Sequence, residues 1–176
     1  MAGTVHAIYL APAAGAAPVA VDEVLAVAGR GLEGDRYFLG VGSFSRWPGE
    51  GRAVSLIEQE AIEAIRHDHG IDLTGGRSRR NIVTAGVALA DLVGKTFRIG
   101  DAMFRGVRPA APCRYLERRV APGTMDAMKG RAGLRADVIE GGVIRAGDPV
   151  AVGLPCTPAS AGRRRLRIGE ISSAHP

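Results

Sequence analysis

The chain has few aromatic residues, almost no cysteine and no apolar run long enough for a membrane. Aromatics make up 5% of its 176 residues, with a single tryptophan, and there are two cysteines, Cys113 and Cys156. So few aromatics leave little for bases to stack on, and no basic face recurs periodically, so nucleic acid is not an expected partner. Neither cysteine stands in a C-x-x-C spacing, which argues against the common zinc arrangements, and both read as free thiols of a reducing compartment. The apolar stretch 7–21 has no lysine or arginine before it, contains Pro12 and Pro18, and runs straight into Asp22 and Glu23. It lacks the flanks of a signal peptide and is too short to span a bilayer, so a cytoplasmic location without a membrane partner is expected. No P-loop occurs either.

What remains is the composition of a soluble globular domain: 46% hydrophobic and 23% charged, with 25 glycines and 10 prolines. The length suits one domain, and the glycine and proline load predicts short strands joined by tight connections. The formal net charge of +5 is unevenly spread. In residues 159–176 four arginines (Arg163, Arg164, Arg165, Arg167) face only Glu170, which leaves +2 for residues 1–158. The expected division is therefore a folded domain over 1–158 and a basic, flexible tail over 159–176.

Alternating apolar segments at Thr4–Leu10 and Val19–Ala28 predict an opening hairpin across an Ala/Pro/Gly loop. Ala53–Ile57 reads as a strand. Residues 58–69 form the best helix, with Ala61, Ile62 and Ile65 on one face, and Ser55 with Glu58 has the spacing of a capping box. Further strands are expected at 81–84, 96–99 and 102–107, the last two joined at Gly100-Asp101. Short helices are expected at 114–120 and 124–129, and Leu134–Glu140 is expected to pair with Val143–Ala146 across Gly141-Gly142. Strands that follow one another by short turns predict a mostly β, barrel-like or sandwich fold with a few short helices, rather than a βαβ fold.

The chemistry has two main candidates. Cys113 follows Pro112, which ends a strand, and precedes a helical pattern. Orphan N–H groups there, together with Arg108, Arg114 and Arg118, favour negative charge on sulfur, although a lone cysteine is as often a small buried hydrophobe. The loop Gly75-Gly76-Arg77-Ser78-Arg79-Arg80-Asn81 combines flexible backbone with guanidinium forks suited to a phosphate-bearing ligand; a solvated charged loop is the alternative. In Gly31-Leu32-Glu33-Gly34-Asp35-Arg36-Tyr37 the two carboxylates are expected to buttress arginines. His67-Asp68-His69 is not expected to bind metal, because residues i and i+2 of a helix do not face each other.

Taken in order, several blocks resemble the MOSC domains, named after the C-terminal domain of molybdenum cofactor sulfurase. They are Gly31-Leu32-Glu33-Gly34-Asp35-Arg36, Leu56-Ile57-Glu58, Arg79-Arg80-Asn81-Ile82-Val83, Leu92-Val93-Gly94, Phe97-Arg98-Ile99-Gly100, Pro112-Cys113-Arg114-Tyr115-Leu116-Glu117, 130–136 and Gly147-Asp148-Pro149-Val150. The resemblance covers roughly residues 4–152 and implies a β-barrel-like fold. It also implies that Cys113 coordinates molybdenum or receives sulfur, as catalytic residue and metal ligand. Arg79, Arg80 and Asn81, with Arg77 and Arg114 beside them, would hold the phosphate end of the molybdenum cofactor (molybdopterin). The sulfur-mobilising or N-terminal β domains of the large enzymes find no room in this length. Ala132 stands where relatives have a second glycine. Two activities follow as expectations: reduction of small N-hydroxylated or N-oxide substrates with an electron-donor redox protein, or persulfide sulfur carriage from a sulfur-donating desulfurase.

Overall fold

The computed structural model describes residues 3–43, 45–47 and 49–152; Cys156 and the arginine-rich tail lie outside the described residues. The described chain is mostly strand. β1 (Gly3–Leu10), β2 (Val19–Val21), β3 (Glu23–Val27) and β4 (Gly31–Leu32) lead to β5 (Val54–Glu58) and the helix α1 (Gln59–His69). Then come β6 (Ile82–Ala85), a 3-10 turn (Leu89–Leu92), β7 (Thr96–Ile99) and β8 (Ala102–Pro109). The helices α2 (Arg114–Arg119) and α3 (Thr124–Ala127) precede β9 (Leu134–Glu140), β10 (Gly142–Arg145) and β11 (Pro149–Val152).

The main sheet runs β11-β7-β8-β9-β5-β6-β1-β2, and β11 also pairs with β1. That pairing closes seven strands into a barrel, which removes the open edges that an isolated sheet exposes. A small sheet, β10-β3-β4, packs beside it. Inward side chains fill the barrel: Ile8, Leu56, Ile82, Ile99, Leu134 and Val150 are nearly or fully buried, and Phe97 stacks on Phe104 at 5.7 Å between ring centroids. A second core lies outside the barrel wall. There Ala61, Ile62 and Ile65 of α1 cover Ile57 and Val83, with Leu116 of α2 and Met128 beyond.

Three departures from the sequence reading have physical causes. Ser55 is not a helix cap: it lies inside β5, and α1 starts after Glu58 without a side-chain cap. β9 does not pair with β10, because both edges of β9 are already taken, by β8 and β5, so β10 pairs with β3 instead. And β5-α1-β6 is a parallel crossover, Leu56 opposite Ile82, set within an otherwise antiparallel barrel. Gly29, Gly31 and Gly34 have the spacing of a dinucleotide fingerprint, yet they lie in the turns around β4 with no helix following, so the phosphate-binding geometry of that motif is missing. Among the described residues no helix is long and apolar enough to cross a membrane.

Where the chain enters β9, Gly133 has φ +90°, and a β-carbon there would collide with the Leu56 carbonyl. Gly130, at φ +76°, has nothing within 4 Å of that position. Gly133→Ala is therefore expected to cost on the order of 3 kcal/mol or more in urea unfolding, against about 1 kcal/mol for Gly130→Ala.

Candidate functional site

At the barrel rim where β6 begins, a buried carboxylate draws four chain segments together. Asp35 is fully buried and accepts hydrogen bonds from the backbone N–H groups of Ala11 and Tyr37, both at 3.1 Å. It also accepts from Asn81 Nδ2 at 3.1 Å and from the Arg36 guanidinium at 3.3 Å. Asn81 Nδ2 donates in addition to the Tyr9 carbonyl at 3.3 Å, while its Oδ1 accepts from the N–H and Oγ of Ser55 at 3.2 and 3.0 Å. The amide orientation is forced by these partners, since the Tyr9 carbonyl and the Asp35 carboxylate only accept. Glu33, the other carboxylate of this segment, is exposed.

This network sets the cations that follow it in space. Arg80 immediately precedes Asn81 and is buried, donating from Nε to the Ala132 carbonyl at 2.9 Å and from a terminal nitrogen to the Ala110 carbonyl at 3.4 Å. Burial first, and then the charge of Arg135, push its pKa down to about 9, so it remains a cation at neutral pH. Arg79 takes a left-handed backbone, φ 56°, strained by roughly 1–2 kcal/mol for a residue with a β-carbon. Its guanidinium donates to the Ala16 carbonyl at 3.0 Å and lies 5.6 Å from the centroid of the Tyr115 ring. Arg119 approaches the same ring at 4.8 Å and donates to the Gly15 carbonyl. Burial, followed by repulsion from Arg36, lowers the pKa of Arg79.

Cys113 is exposed and extended, one residue ahead of α2, and its carbonyl accepts the Glu117 N–H at 3.2 Å. The strand leading to it is held at Ala110, whose N–H donates to Gly133 at 2.8 Å and whose carbonyl accepts from Arg80. The Cys113 thiol lies near enough to Arg80 and Arg135 to act electrostatically on both. Beside α2 opens a cavity of about 690 Å³ lined by Arg77, Arg79, Arg118 and Arg119, with Tyr115, Gly15 and Pro18. A second cavity of about 640 Å³ lies along Pro109–Pro112 and is largely apolar. Among the described residues no three His, Cys, Asp or Glu converge on one point, so a metal at Cys113 would have to bring its other ligands with a cofactor.

Of the residues singled out in the sequence, Arg77 and Arg79 line the arginine-rich cavity, whereas Arg80 is buried and bonded to Ala110 and Ala132. Asn81 is 3% exposed with its amide fully engaged, so here it positions its neighbours. Arg77 also pairs with Asp72 at 3.5 Å, and Arg114 is exposed at the start of α2, outside the cavity lining. Sequence reasoning did not single out Tyr115, Arg119, Arg135 or the bonding role of Ser55. Two local signs were available: a serine inside the apolar strand Val54–Glu58, and paired arginines on a short helix after the cysteine.

The fold and site thus define a closed β-barrel that carries an exposed thiol in a cationic rim. The model of the MOSC domain matches residues 44–151, and the chain belongs to that family. No curated protein matches the sequence. Among solved structures, the YuaD protein of Bacillus subtilis is similar at 17% identity and a TM-score of 0.72, covering 85% of this chain and 94% of that one. YiiM of Geobacillus stearothermophilus is similar at 18% identity and a TM-score of 0.67, covering 86% of this chain and 75% of that one. YiiM of Escherichia coli has 21% identity and a TM-score of 0.63, covering 88% of this chain and 71% of that one. At these identities the likeness speaks for the fold.

Because Asp35 and Asn81 share one network, their substitutions are not expected to add. Each single change, Asp35→Leu or Asn81→Leu, leaves a buried partner unsatisfied and is expected to cost about 2–4 kcal/mol in denaturant unfolding. The double variant is expected to cost less than the sum by about 1–3 kcal/mol. Strict additivity would show that the two side chains do not act as one unit.

Proposed function

We propose that this chain binds molybdenum cofactor, with Cys113 as the protein ligand to the metal, and reduces small N-hydroxylated or N-oxide compounds with electrons from a separate redox protein. One observation carries the reading: an exposed thiol stands among guanidinium groups whose positive charge the surrounding carboxylates do not balance, next to an arginine-lined cavity of about 690 Å³. MOSC domains are in general associated with binding of this cofactor, which joins a metal to a phosphate-bearing pterin.

The residues present fit such a group. A thiolate is a soft ligand that leaves the remaining positions to the cofactor's own sulfurs. Arg79 and Arg77, with Arg119, offer forks to phosphate oxygens, and the Tyr115 ring gives a flat apolar face beside them. Arg80 adds charge from behind the wall, Asn81 fixes Arg80 through the Asp35 network, and Arg114 stands at the outer rim. When bound, the cofactor supplies a metal centre for two-electron oxygen-atom chemistry. The overall reduction consumes two electrons and two protons and releases water. The protein's part is to bind the anionic end, present the thiolate and offset negative charge.

A second reading rests on the same exposure of Cys113. A lone accessible thiolate is sufficient for a sulfur carrier: it attacks the terminal sulfur of a desulfurase persulfide, forms a new S–S bond and releases the donor thiolate. Metal analysis separates the two. Protein made in a host that synthesises molybdenum cofactor is expected to carry near-stoichiometric molybdenum, and Cys113→Ser to lose at least nine-tenths of it with an unchanged circular dichroism spectrum. Wild-type protein without molybdenum but with reductant-labile sulfur on Cys113 would favour the carrier.

A further inference from the structure

Arg135 is a half-buried cation that the reading above does not use. It lies on the outer face of β9, in register with Arg108 of β8 on one side and Ser55 of β5 on the other. Ser55 bonds Asn81, the residue just before β6, so Arg108, Arg135, Ser55 and Asn81 form one row across β8, β9, β5 and the start of β6. Arg80 donates to Ala110 and Ala132, the residues that flank the Arg108–Arg135 pair along the chain, and so it lies at the end of that pair. Arg36, paired with Asp35 at 3.3 Å, also adds its charge near Arg135.

Like charges directly opposite on paired strands repel, and here the repulsion has no local remedy. Among the described residues the Arg135 guanidinium has no hydrogen-bond or ion-pair partner. The nearby carboxylates are committed elsewhere: Asp35 to its four donors, Asp137 to the Gly51 N–H at 2.9 and 3.0 Å, and Glu50 to Arg105 at 2.8 Å. Burial lowers the pKa of Arg135, and Arg108 and Arg36 lower it further while Tyr37 and Cys113 oppose the shift. A fold that keeps such a cluster half-buried pays for it in stability unless an anion arrives. The cluster sits beside the only free cysteine of the described residues.

We propose that Arg108 and Arg135, backed by Arg80 and Arg36, form an oxyanion subsite beside Cys113, so that the compounds acted on there carry a carboxylate or a comparable anionic oxygen group. The proposal rests on Cys113 being the reaction centre, and does not depend on which metal or sulfur chemistry it performs. Neither Arg108 nor Arg135 lines the cavity of Arg77, Arg79 and Arg119, so the two groups of arginines are distinct. One anchors the anionic end of a cofactor; the other selects the charge of the substrate.

Alkylation of Cys113 in the purified chain, without added cofactor, tests this directly. Iodoacetate and iodoacetamide place the same methylene before the sulfur, and differ in carrying a carboxylate or a neutral amide. In either case the sulfur forms a C–S bond as the C–I bond breaks, iodide leaves with its electron pair, and the thiol proton goes to buffer. The rate ratio of iodoacetate to iodoacetamide, read on the Cys113 peptide by mass spectrometry, is expected to exceed the same ratio for glutathione by about tenfold. Arg135→Gln and, separately, Arg108→Gln are each expected to lower that excess at least threefold, whereas Arg105→Gln leaves it in place. Sulfate is expected to slow the iodoacetate reaction saturably, beyond the effect of potassium chloride at equal ionic strength.

A ratio within twofold of that of glutathione would overturn the proposal. So would equal suppression by sulfate and chloride, which would mean a diffuse field and no site. If Arg135→Gln fails to fold, Arg108→Gln decides alone, its exposed side chain being dispensable for the core. Charge selectivity here, with no molybdenum in protein made in a host that synthesises molybdenum cofactor, would leave the subsite standing and remove the cofactor reading; molybdenum in that protein without charge selectivity here would do the reverse.

Discussion

The buried hydrogen bond between Asp35 and Asn81 is the constraint on which the rest of the site depends. It joins a loop after β4 to the residue that opens β6, 46 positions further along, and through Ser55, Tyr9 and Ala11 it reaches β5 and β1 as well. Each polar group in it would be costly to bury alone, and each is satisfied by another member, so the network forms as a whole or is lost as a whole. With Asn81 held, Arg80 must enter the protein and Arg79 must turn outward through a left-handed backbone. The positions of the cations follow from one amide.

Those cations then act on the chain around Cys113. Arg80 ties the end of β8 to the approach to β9, through carbonyls that would otherwise be orphaned at the rim. The cysteine projects three residues beyond that tie, ahead of a short helix. The barrel closure between β1 and β11 supplies a rigid wall for the arrangement, and the apolar cover by α1 keeps solvent from its back. Function in this account comes from charge that the fold leaves unbalanced on one side of a stable barrel.

Much of this was legible in the sequence wherever the signal was local. Alternation placed most of the strands, the i, i+3, i+4 pattern placed α1, and Pro112 marked the strand end before Cys113. The pairing of β10 was not legible, because strand partners depend on which edges remain free once the barrel closes. The cap that the spacing from Ser55 to Glu58 allowed does not form, for a related reason: the strand reading of 53–57 holds, and the arrival of Asn81 beside it gives the Ser55 hydroxyl another use. Arg135 drew no reading of its own, since nothing within ten positions announces Arg80 or Arg36 near it. Charges gathered from separate segments leave no mark in local spacing.

The proposed bond between the Cys113 sulfur and molybdenum within this cationic rim is the central claim. X-ray absorption at the molybdenum edge of the loaded protein, compared with loaded Cys113→Ser, measures that bond. Loss of one sulfur neighbour from the metal in the variant, with the remaining sulfur shell intact, is the predicted result. An identical sulfur shell in both proteins would place the metal elsewhere and contradict the account.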